Sequence, residues 1–208
     1  LKLVWFDRPF NFSEKVNLGA AHSAGDHMLI LNDDVEVESP DFIETMLGLL
    51  AEDDVAMVGA KLLWEDGRLQ HAGHVYNGDP YHAYFGHPAD HLGAFSLLAC
   101  QRESSGVTAA CALVKMSVWG EVGGMTPDLA GNFNDVDFSL KIRARGYRIL
   151  WTPYAVLYHF ESMTREPTVK PEELQTIRKR WATALCNDPY YNPNLEPLRD
   201  DWMERPRR

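Results

Sequence analysis

Three short stretches carry the residue types best suited to chemistry. Asn32-Asp33-Asp34 follows the apolar run Met28–Leu31. In an open α/β sheet, ligands sit beyond the carboxyl ends of the strands. Two adjacent carboxylates repel each other there, and a divalent cation offsets that repulsion; Mg²⁺ is commonly held by one or two carboxylates plus phosphate oxygens. The same triplet also reads as a solvated turn. Asn134-Asp135-Val136-Asp137 opens a helical pattern. Acids in a first helical turn are favoured by the dipole by roughly 0.3–1 kcal/mol each, and an acid so placed can equally serve as a general base. His159 closes an apolar strand pattern and precedes Glu161, Ser162 and Arg165. It reads either as a hydrogen-bonded imidazole or as a neutral metal ligand.

Other stretches are less specific. His71, His74, His82, His87 and His91 cluster loosely, at no spacing that matches a helical or hairpin zinc site. His71 with Trp64, Tyr76, Tyr81, Tyr84 and Phe85 can line a sugar pocket, or pack as ordinary core and loop. Gly123-Gly124 lacks the strand-loop-helix context of a phosphate loop and reads as a tight turn. Arg178-Lys179-Arg180, with Arg205, Arg207 and Arg208, is a solvated basic face that could also meet lipid headgroups.

The elements that must position these groups follow from patterning. Leu1–Phe6 is an apolar strand, and Ser13 caps a helix to about Ser23, with Val16, Leu18 and Ala20 on its buried side. Met28–Leu31, a continuous apolar run, predicts a strand buried on both faces. Ser39-Pro40 opens a second helix, with Ser39 as cap and Phe42, Ile43, Met46, Leu47, Leu49 and Leu50 apolar. Val55–Trp64 is the next strand, and this β-α-β-α-β order predicts a parallel sheet with helical crossovers. Residues 65–105 hold one strand near Leu69–Tyr76 and a long loop. Val107–Lys115 is a strand, 135–145 a helix stopped by Gly146, and Tyr147–Trp151 and Ala155–Tyr158 are short strands around Pro153. A final helix spans 171–186, and the proline-bearing tail from Asp188 is extended.

Composition sets the limits. The 208 residues carry 20 Lys+Arg against 30 Asp+Glu, a formal charge of −10, which disfavours nucleic acid as a partner. Apolar residues make up 45%, the mix of a soluble globular domain. Cys100, Cys111 and Cys186 are too few and too scattered for a disulfide framework and fit reduced thiols in the cytoplasm. No apolar run reaches the roughly 18–20 residues of a membrane helix. Entry straight into an apolar strand, without Met or a leader, suggests a piece of a longer protein.

In combination these stretches resemble a known family. NFSEKVNLGAAHSAGDHMLILNDDVEV is similar to the middle of family 2 glycosyltransferases, which have the GT-A fold, a Rossmann-like mixed α/β sheet flanked by helices. VTAACALVKMSVWGEVGGM resembles the segment before their catalytic helix. FNDVDFSLKIRARGYRILWTPYAVLYHFESMTR resembles that helix, the strands after it and a metal-side histidine. Leu69-Gln70-His71-Ala72-Gly73 looks like a segment of bacterial members that build O-antigen and other rhamnose-containing polysaccharides. The resemblance implies residues 1–166 as the GT-A domain, lacking its first strands, and 167–208 as a C-terminal helix and tail.

The resemblance also implies roles. The triplet matches the family's DxD motif, with Asn32 first, Asp34 a ligand to Mg²⁺ or Mn²⁺, and Asp33 facing the donor. Asp135 matches the general base, flanked by Asn134 and Asp137 on the acceptor side, with His71 and Trp64 also in acceptor binding. His159 matches the metal-side histidine, and Arg165 lies where it could pair with donor phosphate. The implied reaction is inverting transfer of a sugar from a nucleotide-sugar donor to a saccharide or lipid-linked acceptor. The location would be cytoplasmic, at most peripheral on the inner face of the membrane. A non-catalytic carbohydrate-binding remnant and a metal-dependent phosphoryl or nucleotidyl transferase are the alternatives. Since the family's first strands have no match, Leu1–Phe6 is expected to pack non-natively, to pair with another copy, or to lean on a missing partner. Self-association through an exposed sheet edge and weak donor binding by this chain alone are expected too.

Overall fold

The computed structural model describes residues 2–160 and 169–206. Its centre is a seven-stranded mixed sheet. Strands β1 (His27–Leu31), β8 (Cys111–Lys115), β3 (Val55–Leu63), β9 (Arg148–His159) and β2 (Val35–Val37) lie side by side in that order. β4 (Leu69–His71) adds to β3, and β7 (Arg102–Glu103) adds to β9. β8 runs antiparallel to β1 and β3, and β3 runs parallel to β9. β1, β3 and β9 therefore point the same way and bring their carboxyl ends to one side. Insertion of β8 between β1 and β3 makes the sheet mixed, where the β-α-β-α-β order alone predicts a parallel one.

Alternation along the strands assigns the two faces. Leu113 of β8 packs under α2 (Phe42–Leu50), whose buried residues Phe42, Met46 and Leu50 recur every fourth position. Each such side chain contributes about 1.5–3 kcal/mol when fully buried. Ala112 and Val114 face the other way. They meet Ala20 of α1 (Phe12–Ala21), Val118 and Trp119 of α3 (Met116–Val122), and Phe138 and Ile142 of α4 (Asn134–Ala144). Gly59 of β3 leaves room for Val107, whose Cβ would lie 2.4 Å from any Cβ added there.

Several local expectations change. Residues 2–6 form no strand; Leu3 and Trp5 are 73% and 87% exposed. A strand needs a neighbour for its backbone groups, and this segment has none among the described residues. β1 is not buried on both faces: it stands at the end of the sheet order, with Met28 and Ile30 buried and Leu31 exposed. Asn11, not Ser13, caps α1, accepting from Glu14 N–H at 3.0 Å, while buried Ser13 donates to the Leu129 carbonyl at 2.7 Å. Asp41 takes the cap position of α2 without a side-chain bond, and Ser39 Oγ instead accepts from Val156 N–H at 3.2 Å. The two strands around Pro153 are one strand, β9, whose register jumps from Gly59↔Trp151 to Lys61↔Val156. The extra residues bulge at the proline, which has no N–H to give a ladder.

The stretch 65–105 is more ordered than its composition suggests. β5 (His74–Asn77) and β6 (Asp79–His82) form a hairpin, and Gly73, at φ 85°, turns the chain from β4 into it. Helix α5 (Pro171–Cys186) packs on α4 and on this hairpin through Ile177 and Leu185, which cluster with Tyr76 and Leu140. The tail after it is not extended. Asp188 and Tyr191 are buried, Leu195 bridges Glu204, and Trp202 stacks on Tyr84 at 5.4 Å.

Candidate active site

β2 was not expected from the sequence, and it fixes the acidic turn. Its antiparallel pairing sets Val35 opposite His159, and Phe160 N–H donates to the Asp34 carbonyl at 2.9 Å. The triplet at the end of β1 is thereby held against the end of β9. Asp34 Oδ1 lies 3.1 Å from His159 Nε2, and Asn32 Nδ2 lies 3.2 Å from the same nitrogen. The other ring nitrogen, Nδ1, is 2.6 Å from Gln70 Oε1. The amide oxygen only accepts, so Nδ1 carries a proton there. In the neutral ring, Nε2 then presents a lone pair, and Asp34 Oδ1, buried with no hydrogen-bond donor among the described residues, faces it. Two facing acceptors are unfavourable alone and would be reconciled by a shared cation. A carboxylate oxygen and an imidazole nitrogen, with the imidazole oriented from behind, form a donor pair that would take a divalent cation, Mn²⁺ more readily than Mg²⁺, which prefers oxygen alone.

A pocket of about 700 Å³ opens at this point. Asn32, Asp33, Asp34 and His159 line it together with Asn134 and Asp135 of α4 and with His74 and His82 of the hairpin. Asp135 sits in the first turn of α4, where the dipole favours its anion. Phe133, just before, adopts φ 59°, a left-handed conformation unusual for a large side chain. Asp135 Oδ1 accepts from Val136 N–H at 2.8 Å. Oδ2 lies 3.9 Å from His74 Nε2, too far for a hydrogen bond.

Other expected residues lie elsewhere. Asp137 does not line the pocket: it is fully buried, accepting from Thr126 Oγ1 at 2.6 Å and from Arg180 and Trp181 at 2.8 Å each. Burial pushes its carboxyl up, but bonds from Thr126, Trp181 and Arg180 outweigh burial and hold it below the usual range. It anchors α5. His71 is also behind the wall rather than in it. Its Nε2 accepts from Thr108 N–H at 3.1 Å, so its Nδ1–H points at His82 Nδ1, 3.0 Å away. His71, His74 and His82 do come within metal-binding distance of one another. Yet a metal on His71 Nδ1 would put a proton on Nε2, against the Thr108 N–H, and the trio does not fit a metal. Burial drives His71 well below, and His74 down to about 3, so both are neutral. Trp64 lines a separate pocket. Arg165 lies outside the described residues.

Four contributors are not assigned to this site by the sequence reading: Gln70 behind His159, the pocket residues His74 and His82, and Glu173. Buried Glu173 of α5 accepts from Gly131 N–H at 2.7 Å and Asn132 Nδ2 at 3.0 Å, fixing part of the pocket rim. Of the basic run, Arg178 pairs with Asp79 at 2.7 Å and Arg180 with Asp137 at 2.8 Å. Among the described residues, no helix is long and apolar enough to cross a membrane.

This architecture, with acid, imidazole and helix N-terminus around one pocket at the strand ends, is the GT-A glycosyltransferase fold. Two solved structures share it. One is GalNAc-T7 with UDP, GalNAc and Mn²⁺, at TM-score 0.61 and 14% identity over 86% of this chain and 36% of that one. The other is the mannosyltransferase PcManGT from Pyrobaculum calidifontis with GDP-Man and Mn²⁺, at 0.53 and 17% over 89% and 47%. Residues 9–184 match the family described as "Glycosyltransferase like family 2", and the chain belongs to that family. The chain is 41% identical to uncharacterized protein y4gI of Sinorhizobium fredii (strain NBRC 101917 / NGR234), over 94% of this chain and 23% of that protein. It is 32% identical to O-antigen biosynthesis protein RfbC of Myxococcus xanthus, over 94% of this chain and 16% of that protein. It thus spans less than a quarter of the length of these curated relatives.

Proposed function

We propose that this domain transfers a sugar from a nucleoside-diphosphate donor to a hydroxyl of a saccharide or lipid-linked acceptor, with inversion, in the assembly of a surface polysaccharide. The observation that carries this is the single pocket shared by the Asp34–His159 pair and Asp135. Asp34 and His159 would hold Mg²⁺ or Mn²⁺, which supplies Lewis-acid stabilisation of the leaving diphosphate. Asp33 and Asn32 flank that position, and Arg165 is assigned to donor phosphate. Asp135 accepts the acceptor's hydroxyl proton, with Oδ2 the oxygen not already engaged by Val136 N–H. As the acceptor oxygen bonds to the anomeric carbon, the bond to phosphate breaks and the diphosphate leaves with its electron pair. Likeness to RfbC supports the polysaccharide setting, and the Mn²⁺ in the two solved neighbours supports the cofactor class. A metal-dependent phosphoryl transferase fits less well, because the base stands on a separate helix rather than beside a second carboxylate pair.

The test is Asp135→Asn in the protein that contains this domain, assayed against a panel of nucleotide-sugars with Mn²⁺. Transfer should fall by about 10²–10⁴ while donor affinity stays unchanged. Retained turnover would move the base elsewhere.

A further inference from the structure

A second pocket of about 500 Å³ is lined by Trp64, Glu65, Asp66, Arg68, Phe85 and Gly86. We propose that it is a carbohydrate subsite, holding a sugar unit of an oligosaccharide acceptor some distance from the unit that reacts. This rests on the glycosyltransferase reading above and extends it: the acceptor is a chain of sugars.

The two pockets are joined by rings. Trp64 and Phe85 meet edge to face, with centroids 5.9 Å apart at 87°. Phe85 meets His82 in the same way, at 6.2 Å and 79°, and His82 lines the active-site pocket. Phe85 is 51% exposed, so its ring is available to a ligand. Sugar rings carry faces of slightly positive C–H groups, which pack on the negative face of an aromatic ring. Their hydroxyls need polar partners at the rim, and here Glu65 and Asp66 offer acceptors and Arg68 a donor. Two acids against one base make a poor seat for a phosphate or nucleotide. The charged rim equally disfavours an acyl chain.

The pocket is also preformed. Its walls come from the turn that holds Trp64, Glu65, Asp66 and Arg68 and from Phe85-Gly86, and the two are tied together. Gly86 N–H donates to the Leu69 carbonyl and Leu69 N–H to the His87 carbonyl, each at 2.7 Å, and Arg68 bridges Pro88. Arg68 Nε is fixed on Asp66 Oδ2 at 2.6 Å. From the tail, Asp200 Oδ2 accepts from Phe85 N–H at 2.9 Å. A site assembled before binding loses less entropy when it fills.

The test is binding without donor, so it does not depend on catalysis. Mono- to pentasaccharides of glucose, mannose, galactose and rhamnose serve as probes, read by saturation-transfer NMR and indole fluorescence. At least one oligosaccharide series should bind more tightly as it lengthens, with the signal at Trp64. Trp64→Ala and Phe85→Ser should each weaken the longer members about tenfold, equivalent to 1.4 kcal/mol, and leave the monosaccharide unchanged. Trp64→Phe, which keeps a ring, should restore most of the affinity and excludes a folding defect. Asp135→Asn should keep the increase of affinity with chain length, because Trp64 and Phe85 are untouched in it. The subsite is overturned if no oligosaccharide binds, if the two ring deletions bind like the parent, or if inorganic phosphate alone perturbs Trp64. Transfer that survives Asp135→Asn, with ring-dependent binding intact, would overturn the catalytic reading and leave the subsite standing.

Discussion

Gln70 Oε1 accepts the Nδ1 proton of His159 at 2.6 Å, while Gln70 Nε2 donates to the His159 carbonyl at 3.3 Å. One buried amide thus grips both ends of one residue and turns its Nε2 lone pair toward Asp34. Partners behind a metal-ligating histidine typically account for 10–100-fold in metal affinity. Gln70→Leu, close in size, should therefore weaken Mn²⁺ binding by that order, as read by calorimetry. Gln70→Glu keeps an acceptor for Nδ1–H and should recover most of it. Equal Mn²⁺ affinity in Gln70→Leu would separate Gln70 from the metal site.

Asn32 stands where an acid would add a negative charge to the site, and its amide Nδ2 lies 3.2 Å from the very lone pair a cation would use. Asn32→Asp removes that donor and adds a carboxylate. A unit charge at 4 Å is worth about 4 kcal/mol at an effective dielectric of 20, part of it lost to desolvation. The variant should bind Mn²⁺ about tenfold more tightly or better. Without metal, the added carboxylate beside Asp33 and Asp34 should lower the melting temperature, and with metal the order should reverse. A melting temperature that ignores Mn²⁺ in both proteins would place the cation elsewhere.

The site's legibility depended on where its parts came from. Asp34, Asp135 and His159 lie at or just beyond the ends of elements that patterning locates. Spacing alone leaves each open between a structural and a chemical role, and the family resemblance is what singles them out. The parts from weakly patterned chain could not be located that way. β2 has three residues, too few to show alternation. Its evidence is the pairing with β9, which lies more than a hundred residues on. Gln70, His74 and His82 come from the stretch read as mostly loop, although Asn77-Gly78 is itself a hairpin signal, and Gly78 takes φ 87° at the turn. That hairpin sets His74 opposite His82. Ser13 and Ser39 each lie two residues from the position that caps its helix, Asn11 and Asp41, because both serines found tertiary partners. At Asp137 the acid-in-first-turn pattern was right and the role was not: spacing shows which residues share a helix, but not which helix packs over them.

His71 and His74 are buried and neutral, and this makes acid stability predictable. Burial lowers His71 well below 6.5, and burial lowers His74 to about 3, with nearby Asp135 acting the other way. Above pH 6.5 neither state binds these protons and the pair contributes no pH dependence. Below it the unfolded chain takes up two protons that the fold refuses, so stability falls as pH falls. The slope approaches about 1.4 kcal/mol per pH unit for each histidine. Urea unfolding between pH 7 and 4 should show this, and His71→Asn with His74→Gln should flatten it. An unchanged slope in that double variant would assign the acid sensitivity to other groups.

Asp135 and Asp137 are two residues apart and should respond oppositely to removal of their charge. Asp135 faces the pocket and, among the described residues, receives only its neighbour's N–H, so Asp135→Asn should leave the melting temperature within a degree or two. Asp137 holds Thr126, Arg180 and Trp181 from a fully buried position. Asp137→Ala strips a buried anion from three donors and should cost about 2–4 kcal/mol, kept below the full value because Arg180 reaches solvent. The pH sign follows from its lowered pKa. Its stabilisation is present above the ordinary value of 3.8 and is lost as pH falls below that, through the folded value. Parent and Asp137→Ala should therefore differ most near neutrality and converge in strong acid, with α5 the first segment to gain hydrogen exchange in the variant. Protection of α5 that survives Asp137→Ala would mean that Ile177 and Leu185 alone hold this helix in place.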